Sequence, residues 1–162
     1  MLSYGFVQAI ILTVALSYFS LSSFAEQYKN WQAAFLKQDY VAALRFLRPL
    51  AEQKDYAAEY QLGTMYSGGI GVPKDYATAA AWYRKSAEQG NAVAQIALGE
   101  LYRQGKGLPK DYVQAYKWFN LTAAQFPTVL NAERDKLEES MTPSQVAEGQ
   151  KLSRDWKPML PK

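Results

Sequence analysis

The chain has 162 residues, 49% of them hydrophobic, with 18 Lys and Arg against 15 Asp and Glu and a formal charge of +3. It contains no Cys and no His, which removes thiol nucleophiles, disulfides, imidazole bases and the commonest zinc ligands. So small a positive surplus does not argue for nucleic acid or an acidic membrane as partner, and an aromatic share of 14% excludes a disordered chain.

Residues 1–25 carry no charged side chain, and the stretch from Phe6 to Phe19 is mostly aliphatic and aromatic. It leads into Ser23-Phe24-Ala25, which places small residues at the minus-three and minus-one positions of a cleavage after Ala25. This reads as a secretory leader, and the expected location is periplasmic or secreted. The same length of apolar chain retained as a membrane anchor is the alternative. Cleavage leaves Glu26 to Lys162, large enough to bury one core without staples.

Next comes residues 26–55, a degenerate helix pair joined by the short link Lys37-Gln38-Asp39. Two full units follow, residues 56–91 and 92–126. A shift of 36 residues lays Tyr56–Gly90 on Ala92–Phe126, with 14 of 35 positions identical. A period of this length signals stacked supersecondary units. The apolar spacing is helical in both halves of a unit: Ala58, Leu62, Met65 and Tyr66 in the first, Tyr76, Ala79, Ala80, Tyr83 and Ala87 in the second.

The two halves are joined by Gly69-Ile70-Gly71-Val72-Pro73-Lys74-Asp75 and Gly105-Lys106-Gly107-Leu108-Pro109-Lys110-Asp111. Glycine allows positive φ after the first helix, proline stops it, and aspartate caps the second. Asp111 and Gln114 have capping-box spacing. Neither loop ends in the Gly-Lys-Ser/Thr of a phosphate loop. Gly63 and Gly99 sit inside the first helices at a cost of about 1 kcal/mol each relative to alanine. The expected return is close approach of the paired helix at Ala79 and Ala115.

Residues 127–162 read as two further helices and a tail. One spans about Thr128–Ser140 with Val129, Leu130, Leu137 and Met141 apolar. The other opens on Thr142-Pro143-Ser144-Gln145, carries Val146, Leu152 and Trp156 broadly on one face, and ends at Lys157-Pro158. The pair suits the C-terminal cap that a solenoid requires.

The joint pattern Leu-Gly-x-x-Tyr, Gly-x-Gly-x-Pro-Lys-Asp-Tyr, Ala-x-x-Trp and Ala-x-Gln resembles the Sel1-like repeat, a relative of the tetratricopeptide repeat, tightly over Tyr56–Gln125 and loosely over Tyr28–Asp55. The resemblance implies an all-α fold, an α-solenoid of antiparallel helix pairs. It also implies that the first helix of each pair lines the inner face. Ala57, Tyr60, Thr64 and Ser67 of one unit, and Val93, Ile96, Glu100 and Arg103 of the next, then face a groove. Such proteins are adaptors, so the expected function is a non-enzymatic scaffold holding a protein or peptide partner. No cofactor, no metal, no nucleic acid and, after leader cleavage, no membrane span is expected.

Catalysis would have to rest on carboxylates, Lys, Tyr or Ser. Asp39, Asp75 and Asp111 are accounted for as caps, Glu138 and Glu139 point different ways on a helix, and Glu100 has no repeating partner. No catalytic residue is expected. A cell-envelope enzyme acting on β-lactams or peptidoglycan, and a membrane-tethered assembly factor, remain the alternatives. The β-lactam-linked relatives are cysteine-rich, and this chain lacks those cysteines. The recurring Trp82, Trp118, Tyr66, Tyr102, Tyr76 and Tyr112 suit a stacked core, and Arg103, Lys106 and Lys110 around one loop suit a solvated edge.

Overall fold

A computed structural model of the chain describes residue 23 and residues 25–159, without the side chains of residues 127–130. Apart from residues 23 and 25, the expected leader lies outside the described residues, as do the side chains of Val129 and Leu130 and the last residues of the tail. Described helix α1 covers residues 25–36. It is followed by α2 (Tyr40–Glu52), α3 (Tyr56–Gly68), α4 (Tyr76–Glu88), α5 (Ala92–Gln104), α6 (Tyr112–Gln125), α7 (Pro127–Glu138) and α8 (Pro143–Asp155). All regular structure among the described residues is helical.

Short polar residues open most of these helices, because the first N–H groups of a helix have no partner inside it. The carboxylates of Asp39, Asp55, Asp75 and Asp111 accept from backbone N–H groups of the following turn, and the Asn91 amide oxygen does the same for α5. Thr142 and Gln145 complete a reciprocal capping box at the start of α8. At Asp111 only half of the expected box forms: the aspartate accepts from the Gln114 N–H. Helices α3 and α5 end on Gly69 and Gly105, both in the left-handed region (φ 72° and 68°). Their loops are then pinned by the N–H groups of Asp75 and Asp111, donating to the carbonyls of Tyr66 and Tyr102.

Helices α3 and α4 form an antiparallel pair: Ser67 late in α3 meets Tyr83, and Ser86 late in α4 donates to the Tyr56 carbonyl. Helices α5 and α6 repeat it, with Gln95 bonded to Thr122 and Gly99 against Phe119. The pairs stack through α2 on α3 and α4 on α5. Leu47, Leu50, Leu62 and Leu98 are completely buried along this stack, each contributing roughly 2 kcal/mol by leaving water. The tryptophans divide: Trp118 is buried, whereas Trp82 is half-buried under the Lys85 ammonium, 4.1 Å from its ring.

The expectation for the in-helix glycines needs correction. A Cβ on Gly63 would strike the Tyr83 ring at 2.5 Å, and one on Gly99 the Phe119 ring at 2.7 Å. The bare backbone seats an aromatic ring one turn beyond Ala79 or Ala115; the expected approach at Ala115 is seen in its carbonyl, 3.4 Å from the Cβ position of Gly99.

At the C-terminal end α7 and α8 both pack on α6. Gly149 lies against the Tyr116 ring, Asn120 donates to the Ser153 hydroxyl, and Trp156 meets Trp118 edge-on at 6.4 Å. Beyond α8 the chain turns back along the stack until the Met159 N–H donates to the Glu88 carbonyl, closing α4 as well as α6.

Candidate functional site

The positions expected to face a groove run along α3 and α5. Tyr60 is half-buried, its ring 5.7 Å from that of Tyr83. One turn on, the Thr64 hydroxyl donates to the Tyr60 carbonyl. Ser67 donates to the Thr64 carbonyl and meets the Tyr83 hydroxyl at 3.0 Å. Tyr83 also reaches Thr64 Oγ1 at 3.4 Å. Three hydroxyls therefore form one neutral, half-buried cluster above the ring that Gly63 admits.

On α5 the equivalent positions carry charge. Glu100 accepts from Arg103 Nε at 2.8 Å and Nη2 at 2.6 Å, a fork-to-fork pairing across one helical turn, and Gln104 donates to the same carboxylate. Arg103 accordingly holds the Glu100 carboxyl below its ordinary range, and Glu100 raises the guanidinium in return. Ile96 is half-buried and packs against the cluster of Ala115, Tyr116, Phe119 and Leu137 in α6 and α7. Val93 is 49% exposed and Ala57 half-buried. The expected residues thus fall into two local groups, Tyr60, Thr64 and Ser67 about Tyr83, and Glu100 with Arg103; Val93 and Ile96 join neither.

Sequence reasoning missed one acid. Glu59 is buried, 3% exposed, and accepts a 2.7 Å hydrogen bond from Gln89 Nε2. Burial pushes its carboxyl up to about 7, against the lowering field of Lys85. Gln89 Oε1 is itself buried without a partner. The available signal was the repeat: Gln95 stands at the equivalent place, fully buried, donating to the Ala87 carbonyl and accepting from Thr122. Among the described residues no cluster of three or more His, Cys, Asp and Glu could hold a metal, and no helix is long and apolar enough to cross a membrane.

The Sel1 repeat profile matches residues 32–55, 57–91 and 92–125, more than half of the chain. The chain belongs to the Sel1 repeat family. Its fold is similar to the crystal structure of a protective antigen present in uropathogenic Escherichia coli strains and displaying an SLR fold. The TM-score is 0.75 at 33% identity, over 82% of this chain and 29% of that one. It is also similar to a Sel1 repeat protein from Oxalobacter formigenes, with a TM-score of 0.63 at 29% identity over 78% of this chain and 54% of that one. The chain therefore spans about a third of the first structure and about half of the second. No curated protein matches the chain. Sel1 repeats typically mediate protein interactions.

Proposed function

We propose that this Sel1 repeat chain is a non-enzymatic interaction module, acting in the periplasm or outside the cell, that holds a protein or peptide partner against α3 and α5. The observation that carries the reading is the contrast between three packing positions that keep their residue in both copies and a half-exposed face that changes from neutral hydroxyls to an ion pair. Leu62 and Leu98, Gly63 and Gly99, and Ala58 and Ala94 are identical and buried, whereas Thr64 and Ser67 are exchanged for Glu100 and Arg103 at half-exposed positions. Packing fixes the first set; recognition can be written in the second. The similar antigen structure and the apolar leader support a place beyond the inner membrane.

The non-enzymatic half of the reading is supported by the two carboxylates nearest to a catalytic role. A general acid at neutral pH needs both a raised pKa and access to substrate. Glu59 has the first and is sealed from solvent; Glu100 is half-exposed and its pKa is lowered.

The test is co-purification from envelope extracts with wild-type protein and with a variant carrying Y60A, I96A and R103A, its helicity checked by circular dichroism. Loss of a partner that wild type retains is expected. Equal recovery by the two proteins removes the α3–α5 face from the proposal.

A further inference from the structure

Each glycine loop closes the stack in the same way. Gly71 sits on Tyr40, the first residue of α2, and Gly107 sits on Tyr76, the first residue of α4, so close that a Cβ at either place would collide with that residue. Tyr112, the first residue of α6, is the third member of this series. The next connection that could cover it joins α7 to α8. It has four residues, Glu139 to Thr142, where the two glycine loops have seven. That connection is three residues shorter, and a cleft of about 90 Å³ lies beside Tyr112, lined by Arg103, Glu133, Lys136, Leu137 and Ser140. That volume holds a few waters or one short side chain.

The lining has a sign. Arg103 commits Nε and Nη2 to Glu100, leaving Nη1 outside that pair. Lys136 enters from α7, and the Lys110 ammonium lies 4.6 Å from the centre of the Tyr112 ring. The hydroxyls of Tyr112 and Ser140 add two neutral donors. Glu133 is the one acid of the lining; Glu100, outside it, is the partner of Arg103, and Glu133 adds a weaker field. With Arg103 already paired to Glu100, an incoming carboxylate takes its charge contact from Lys136 and hydrogen bonds from Arg103 Nη1 and the two hydroxyls.

We propose that this cleft seats an aspartate or glutamate side chain of a protein partner, held beside Tyr112 between Arg103 and Lys136. The inference rests on reading the chain as an interaction module and adds the chemistry that one end of it selects. Nucleic acid fits less well, because a few cations at one spot neutralise too few phosphates to bind at physiological salt.

The experiment is fluorescence anisotropy on the full chain with a labelled short Gly-Glu repeat peptide, its Gly-Gln counterpart and a single-stranded oligonucleotide of equal charge. The Glu peptide should bind about fivefold more tightly than the Gln peptide, the upper size of one solvent-exposed charge contact. K136Q should weaken it about threefold and E133Q, which removes the resident competitor, should strengthen it by a similar factor. S140W, which fills the cleft from a solvent-exposed position, should abolish the preference while leaving the circular dichroism unchanged. Equal binding of both peptides, insensitivity to K136Q and S140W together, or an oligonucleotide as tight as the Glu peptide overturns the proposal. These outcomes are read on purified components, so they are distinct from failure of the α3–α5 face in co-purification.

Discussion

Repeat α3–α4 and repeat α5–α6 carry the same backbone plan with different interiors. In the first, the ring admitted by the in-helix glycine is Tyr83 and its hydroxyl gathers Ser67 and Thr64. In the second it is Phe119, and the equivalents of Thr64 and Ser67 are an ion pair that needs no phenol beneath it. Where the first buries Glu59, the second buries Gln95. The loops and caps, by contrast, are alike to within a few degrees at Gly69 and Gly105. Backbone geometry is what stacking demands of both units, whereas a side chain has only to satisfy its own neighbours. The largest effects should therefore come from breaking the shared geometry and smaller ones from exchanging the interiors.

Gly107 is the place to break it. Its residue is exposed and its φ is +73°, and a Cβ there would overlap the backbone of Tyr76 and Ala77. G107A should cost about 4 kcal/mol, combining the left-handed penalty with overpacking against atoms that cannot rotate away. At Gly71, with φ +70°, the Cβ meets chiefly the Tyr40 Cβ at 2.5 Å, and the backbone stays at 3.1 Å or more. G71A should cost about 2 kcal/mol on the same grounds. Urea unfolding of the two variants gives the ranking. Equal and small losses would mean that the loops do not hold the repeats together.

This difference also marks what could be read without coordinates. The glycines, the proline and the aspartate of each loop announce their roles because positive φ, a missing N–H and a short acceptor are properties of single residues. The caps at Asp39, Asp75 and Asp111 and the Thr142–Gln145 box were legible for that reason. The partner of a glycine was not: a missing Cβ says that something comes close, and Ala79 was the plausible candidate until the Tyr83 ring took the place. Glu59 was illegible as a buried acid, because a charged residue within a helix ordinarily faces water. Only its alignment with Gln95, a residue of the same length, hinted that the position is interior. The fold-back of Met159 onto Glu88 and the cleft beside Tyr112 depend on where separate segments end up, which no local pattern encodes. Within the candidate site, the face is what the family resemblance implies, whereas the pairing of Glu100 with Arg103 and the packing of Ile96 against the α6–α7 cluster belong to the tertiary structure.

Exchanging the buried acid for its counterpart in the second repeat should remove a pH dependence. Glu59 titrates at about 7 when folded, above the 4.5 of an ordinary glutamate. The folded state thus binds the proton more tightly than the unfolded chain does. That contribution is fully present below about 4.5 and is lost as pH rises through 7. The groups in its field are Lys85 and Glu88 of α4, Gln89 just past its end, and Asp55 ahead of α3. E59Q should gain about 1.5 kcal/mol over wild type at pH 8 and little at pH 5, a figure discounted for incomplete desolvation. The measurement is the urea midpoint of each protein across that range. A wild type whose stability rises from pH 5 to 8, with E59Q following the same slope, contradicts the assignment.

The smallest expected effect concerns the hydroxyl cluster, and it separates a structural role from a recognition role. Y83F gives the first repeat the ring of the second, leaving Ser67 and Thr64 without their phenol. Both are half-exposed, so water replaces the lost partner and the net cost should be about 0.5 to 1 kcal/mol. S67A in the wild-type background should cost a similar amount. In a double-mutant cycle the two changes should couple, because they remove opposite ends of one 3.0 Å contact. If stability shifts by less than this while co-purification falls, Tyr83 and Ser67 present their hydroxyls to the partner and the cluster belongs to the binding face. If the cycle shows the coupling and recovery is unchanged, the cluster holds α3 on α4, and recognition moves to α5, where Glu100 and Arg103 carry the charge.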